Sequence, residues 1–171
     1  MIIKNEDILK AKEEAILQQC NCLTVRAHGL SQTLADNWEW ADVYSHRRQV
    51  GRRNLAIEED RSEPGTIYVA QSDDTGDGDN PDIICAFAQW CPGKPLKYTG
   101  YPDWHIDTTQ NREKWFKECL DAIGDLGTYS SIAIPWRIGC GLAGGNWIVY
   151  RRMIEEFEKE SGIEVVCYKV D

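Results

Sequence analysis

Hydrophobic and polar residues are arranged along this chain in blocks of differing period, and each block predicts an element. Residues 14–23 (EAILQQCNCL) open as an apolar run and close on small polar residues, which predicts a short buried strand. From 30 to 48, Leu30, Leu34, Trp38 and Ala41 recur at intervals of four, four and three, the signature of one helical face. Residues 65–71 (GTIYVAQ) and 82–90 (DIICAFAQW) are rich in β-formers and read as paired strands. Between them lies the acidic, turn-rich SDDTGDGDN. It predicts a hairpin loop rather than a calcium loop, because the twelfth position counted from Asp73 is Ile84 and not Glu. Residues 91–109 hold three prolines and two glycines and predict a long ordered loop. Asp107 or Thr108 then caps a helix whose buried stripe is Trp115, Cys119, Ile123 and Leu126. SSIAIPW predicts a strand. A helix follows from the N-cap Asn146, with Trp147, Tyr150, Ile154 and Phe157 on one face and Gly162 as its stop, and IEVVCYKV closes the chain as a strand.

Strands alternating with helices, with a hairpin in the middle, predict a three-layer α/β/α fold with a mixed central sheet, and the 171 residues are expected to form one domain, 1–171. The net charge of −9 disfavours broad nucleic-acid or membrane-surface binding, since both need a positive field. The one basic cluster, HRRQVGRR at 46–53, is either a nucleic-acid patch or, the reading favoured here, a solvated helix end. No basic start followed by an apolar run is seen at the N-terminus, and nothing approaches the roughly 20 apolar residues of a membrane span. Seven cysteines with no framework spacing suggest reduced thiols, so a cytoplasmic, intracellular setting is expected. The three histidines are scattered and the cysteines form no zinc pattern, so neither a metal nor a cofactor is expected.

The most unusual stretch is RIGCGLAGGNW at 137–147, which holds a literal G-x-G-x-x-G in Gly139, Gly141 and Gly144. It joins a strand to a helix N-terminus. Bare backbone there exposes N–H donors where the helix dipole also favours an anion, which points to a phosphate or diphosphate ligand. The competing reading is a tight turn that packs the helix on the sheet. A dinucleotide-binding βαβ unit fits poorly, because only one further strand follows and Pro135, Trp136 and Arg137 separate the strand from the first glycine.

With the N-terminal half added, the pattern resembles the macrodomain family of ADP-ribose-binding modules. The resemblance runs through NEDILKAKEEAILQQCNCLTVRAHGLSQTLADNW and IAIPWRIGCGLAGGNWIVYRRMIEEF. Asn5-Glu6-Asp7-Ile8 stands at the family's opening motif, Asn21 at the Asn that ends a strand, Ala27-His28-Gly29 at the first glycine loop, and 139–145 at the second. The resemblance implies that Asp7 accepts from the adenine amino group and that Ile8 adds a backbone contact. It implies that Gly139, Cys140, Gly141, Leu142, Ala143 and Gly144 cradle the diphosphate, and that Asn21 and Gly29 meet the distal ribose. ADP-ribose, a derivative of it, or an ADP-ribosylated macromolecule would be the partner.

Two branches lie nearest by motif. The tetrad GCGL is similar to the terminal ADP-ribose glycohydrolase-like branch, and CNC at 20–22 to the yeast-like ADP-ribose-1″-phosphate phosphatases. The acidic and basic groups of related enzymes are replaced by Ser31, Ala143 and, approximately, Gln89, and the phosphatase His by Gln18. That leaves His28, an imidazole in the first loop, as the candidate general acid–base, and Asn21 to position water. His105 and Asp107 are further candidates, and Cys140 is read as a small packing residue. The leading expectation is a hydrolase acting at the distal ribose of an ADP-ribose derivative. The alternatives are a non-catalytic binding module and an eraser of DNA-linked ADP-ribose using 46–53.

Overall fold

The computed structural model describes residues 1–72 and 80–170. The expected hairpin loop between the paired strands falls largely on 73–79, outside the described residues. Six strands form one sheet in the order β1-β6-β5-β2-β4-β3. They are β1 Ile2–Lys4, β2 Ala15–Asn21, β3 Ile67–Ala70, β4 Asp82–Gln89, β5 Ser131–Pro135 and β6 Glu164–Tyr168. All neighbours are parallel except β3 and β4, which pair antiparallel from Ile67 opposite Ala86 to Ala70 opposite Ile83. The sheet is therefore mixed, as expected. β2 and β4 are buried along nearly their whole length because they lie inside a sheet covered on both faces, although β2 carries Gln18, Gln19 and Asn21. β1 was not legible in advance: Ile2 and Ile3 are exposed on an edge strand too short to show a period.

Three α-helices flank the sheet: α1 Leu30–Asn37, α2 Thr109–Leu126 and α3 Trp147–Ser161. α2 and α3 meet through the Phe116 and Tyr150 rings, 4.8 Å apart, while α1 lies against β2 and buries Leu34. The three-layer α/β/α arrangement stands. In α2, the first choice of cap resolves to Thr108, whose hydroxyl accepts from the Asn111 N–H. The α2 stripe ends at Ile123, because Gly127 terminates the helix in the left-handed region and leaves Leu126 exposed. In α3, the Asn146 side chain accepts from the Ile148 N–H, and Gly162 caps the other end at φ 75°.

The helix expected over 30–48 is shorter. α1 stops at Asn37, Trp38 turns extended, and a single 3-10 turn spans Glu39–Ala41. The apolar interval persists past the break because Trp38 stacks on Trp40, whose indole N–H donates to the Pro81 carbonyl. The basic cluster at 46–53 is consequently not a helix end. Arg47 is buried, donating to the carbonyls of Thr24 and Asn21 and to the Ser62 hydroxyl, and Arg48 pairs with Asp60. Around the buried Arg47, the side chains of His46, Arg48, Arg52 and Arg53 stay exposed.

Candidate functional site

The parallel strands β2, β4 and β5 end at Asn21, Gln89 and Pro135, and all three residues line one cavity of about 730 Å³. This is where an open α/β sheet places its ligands, outside the carboxyl ends of the strands. Both glycine-containing loops contribute to its lining. The first supplies Ala27, His28 and Gly29, the second Gly139, Gly141, Leu142 and Ala143. The long loop 91–107 closes the side through Pro92, Gly93, Lys97, Tyr98 and Tyr101.

The second loop divides its glycines between two jobs. Gly139 sits at φ 73°, and a Cβ there would lie 2.7 Å from both Gln19 Oε1 and Tyr150 Cε2. A Cβ on Gly145 would meet the Gly139 carbonyl at 2.5 Å. Gly144, also at φ 73°, faces Lys94 and does not line the cavity. These three allow the loop to fold tightly on itself, with Gly144 N–H bonded to Gly141 O and Gly145 N–H to Gly139 O. Gly141 is different: a Cβ there meets nothing within 4 Å. Among the described residues, the N–H groups of Gly141, Leu142 and Ala143 find no hydrogen-bond partner, and all three residues line the cavity. Three glycines thus serve the turn, and the three residues whose N–H groups have no partner among the described residues belong to the cavity lining.

Cys140 is buried and takes no part in the lining. Burial pushes its thiol up to about 11, so its position near a helix N-terminus yields no thiolate at neutral pH.

Asn21 ends β2 and builds the turn that launches the first loop. Its carboxamide oxygen accepts from the N–H groups of Leu23 and Thr24 and from the Thr24 hydroxyl. Its nitrogen donates to the same hydroxyl at 2.9 Å, which uses one of the two amide protons. The Tyr44 hydroxyl accepts from the Asn21 N–H behind the turn. The loop then runs to Gly29 at φ 59°, which opens α1 with no side-chain cap, so the Leu30 and Ser31 N–H groups stay free at the cavity wall. Ser31 donates to Gln18 Oε1 and is held to the strand. His28 is exposed on this wall.

The remaining expected residues lie elsewhere. Asp7 and Ile8 do not line the cavity: the Asp7 carboxylate accepts from the Leu9 N–H and caps a 3-10 turn, and Ile8 is buried. His105 is exposed outside the cavity. Asp107 is neither a helix cap nor an accessible acid. It is fully buried and pairs with Arg112 at 2.6 Å while accepting from the Trp90 and Cys91 N–H groups.

Several contributors carried no readable signal. Arg26, Lys97 and Arg137 line the cavity exposed and, among the described residues, outside any ion pair, and Arg137 adopts φ 58°, a conformation rare for a non-glycine. No Asp or Glu among the described residues joins the lining. In a chain of net charge −9, the described lining thus carries cationic side chains and no carboxylate, an arrangement that favours an anion. Gln89, also in the lining, donates to the Cys91 carbonyl and accepts from Gln19 Nε2, a neutral amide pair. These residues are far apart in sequence, and no spacing announces them.

Among the described residues, no group of His, Cys, Asp and Glu is placed to hold a metal, and no helix is long and apolar enough to cross a membrane. All seven cysteines are free and buried.

Comparison with protein-family models and with curated proteins gave no match. Solved structures did match. The macrodomain of Mycobacterium tuberculosis DarG is 18% identical, with a TM-score of 0.65 over 99% of this chain and 97% of that one. A Bacteroides thetaiotaomicron protein of unknown function is 20% identical, with a TM-score of 0.66 over 99% and 97%. An Oceanobacillus iheyensis macrodomain variant, solved with ADPR, is 17% identical, with a TM-score of 0.62 over 98% and 83%. At these identities the likeness is one of architecture, and the architecture this chain shares is the macrodomain fold.

Proposed function

We propose that residues 1–171 form one macrodomain that binds ADP-ribose or an ADP-ribose derivative in this cavity and hydrolyses a bond at its distal ribose. One observation carries the reading: the cavity combines Arg26, Lys97 and Arg137, none of them ion-paired among the described residues, with the free amides of Gly141, Leu142 and Ala143, and none of its described lining residues is acidic. Such a surface suits a diphosphate. The solved neighbour with ADPR supports the choice of ligand. In this reading the diphosphate lies on the second loop and the distal ribose reaches the first, where His28 passes a proton to the departing group. Asn21 holds the turn that presents His28 and offers its remaining amide proton to the ribose or to water. An ADP-ribosylated macromolecule or ADP-ribose-1″-phosphate is the proposed substrate, and the free thiols fit an intracellular setting.

A binding-only reading is favoured by one fact, the full occupation of the Asn21 carboxamide oxygen within its own turn. Two measurements test these statements. ADP-ribose at ~100 times its Kd should stabilise the protein by roughly 2.7 kcal/mol, and adenosine far less. A melt that millimolar ADP-ribose leaves unmoved removes the ligand assignment. Incubation with ADP-ribosylated protein and with ADP-ribose-1″-phosphate should release product, and binding without release from either leaves the binding-only module.

A further inference from the structure

Arg112, near the start of α2, is 2% exposed and spends every donor it has. Its Nε donates to Asp107 Oδ1 at 2.8 Å, and its Nη2 donates to Asp107 Oδ2 at 2.6 Å and the Cys91 carbonyl at 3.2 Å. Nη1 donates to the carbonyls of Gly93 at 2.7 Å and Ala143 at 3.2 Å. A guanidinium offers five N–H groups in a fixed fork, and here all five are used. Asp107 is equally committed, since it also receives the Trp90 and Cys91 N–H groups. One buried pair therefore ties together the end of β4, the long loop and the second glycine loop.

The contact that matters for the ligand is Ala143. The peptide between Ala143 and Gly144 is held at both polar ends, its carbonyl by Arg112 and its N–H by the Gly141 carbonyl. A carbonyl oxygen turned into the cavity beside the free amides of Gly141, Leu142 and Ala143 would repel an anion. We propose that Arg112 is a positioning residue for the anionic ligand, anchoring the Ala143 carbonyl beneath the loop so that only N–H groups meet the diphosphate. The inference rests on the ADP-ribose reading above and deepens it. Arg112 does not attract the ligand itself, because Asp107 neutralises its charge within the core.

The test is Arg112→Lys, which keeps a cation for Asp107 but replaces a rigid fork by a single ammonium that cannot span Asp107, Gly93 and Ala143 together. Calorimetry with ADP-ribose should show affinity weakened about tenfold or more, while adenosine binding is unchanged. Amide hydrogen exchange should show faster exchange at Gly144 and Gly145, whose bonds close the loop, with β2, β4 and β5 as protected as in wild type. Unchanged ADP-ribose affinity in a folded variant overturns the inference. So does a loss of protection spread evenly through the sheet, which would make Arg112 a support of the fold alone. Should Arg112→Lys fail to fold, Asp107→Asn with Arg112→Gln removes both buried charges together and carries the same comparison. Wild-type protein that binds no ADP-ribose sinks the parent reading, whereas wild-type binding with an indifferent variant sinks this inference only.

Discussion

Gly139→Ala isolates what the glycine stretch does for the fold. The added Cβ would lie 2.7 Å from Gln19 Oε1 and 2.7 Å from Tyr150 Cε2. The glutamine end could yield, but its nitrogen is held by Gln89, and the Tyr150 ring is only 1% exposed and packed on Phe116. The residue also sits at φ 73°, a region that costs an alanine about 1–2 kcal/mol. Overpacking against a fixed ring adds about 1–3 kcal/mol. The variant should thus lose about 2–5 kcal/mol, which for a chain of this size lowers the melting temperature by about 4–20 °C. Gly141→Ala is the internal control, because its Cβ meets nothing within 4 Å and its backbone is not left-handed. Its stability should stay within about 0.5 kcal/mol of wild type. Thermal denaturation followed by circular dichroism reads both. A Gly139→Ala midpoint within about 2 °C of wild type, or equal losses from the two variants, would refute the division of the loop into packed and open glycines.

Two further expectations follow from the site and the core. If the protein is a hydrolase, His28→Ala should lower kcat by about 10²–10⁴-fold with little change in KM; turnover that survives moves the acid–base group elsewhere. Burial pushes Cys91 and Cys119 up to about 12 and Cys140 and Cys167 up to about 11, against an ordinary value of 9.0. The folded state therefore keeps protons that the unfolded chain releases from about pH 9 upward, so these thiols contribute fully below pH 9 and their contribution is lost as pH rises through 11–12. Denaturant midpoints that hold level between pH 9 and about 10.5, or rapid labelling of Cys140 by a thiol reagent at about pH 8, would contradict that picture.

The sequence by itself determined the elements whose signals are local. β2 opens on an apolar run, β4, β5 and β6 are mostly apolar or β-branched, and α2 and α3 announce themselves through three- and four-residue intervals with Thr108, Asn146 and Gly162 at their ends. A cap or a period is written within a few residues, so it survives without knowledge of the partner surface. The alternation of these elements was enough for the mixed three-layer fold. Equally local was the coincidence of two small-residue loops after two strands, which placed His28, Gly29, Gly139, Gly141, Leu142 and Ala143 on one cavity.

Only the tertiary structure decided the rest, because it depends on contacts between distant residues. α1 stops at Asn37 although the apolar interval continues, since the stacking of Trp38 on Trp40 and the bond to Pro81 outweigh a weak helical preference. Asp107 looks like a helix cap in sequence and becomes half of a buried ion pair, because Arg112 lies one helical turn further on and Thr108 takes the cap. Asp7 stands at the family's opening motif, and in the fold its carboxylate caps its own turn while the residue does not line the cavity. The charge of the site was hidden for the same reason. A net charge is a sum over the whole chain, whereas the field in a cavity depends on which few residues line it, and folding gathers Arg26, Lys97 and Arg137 there with no carboxylate among the described lining residues.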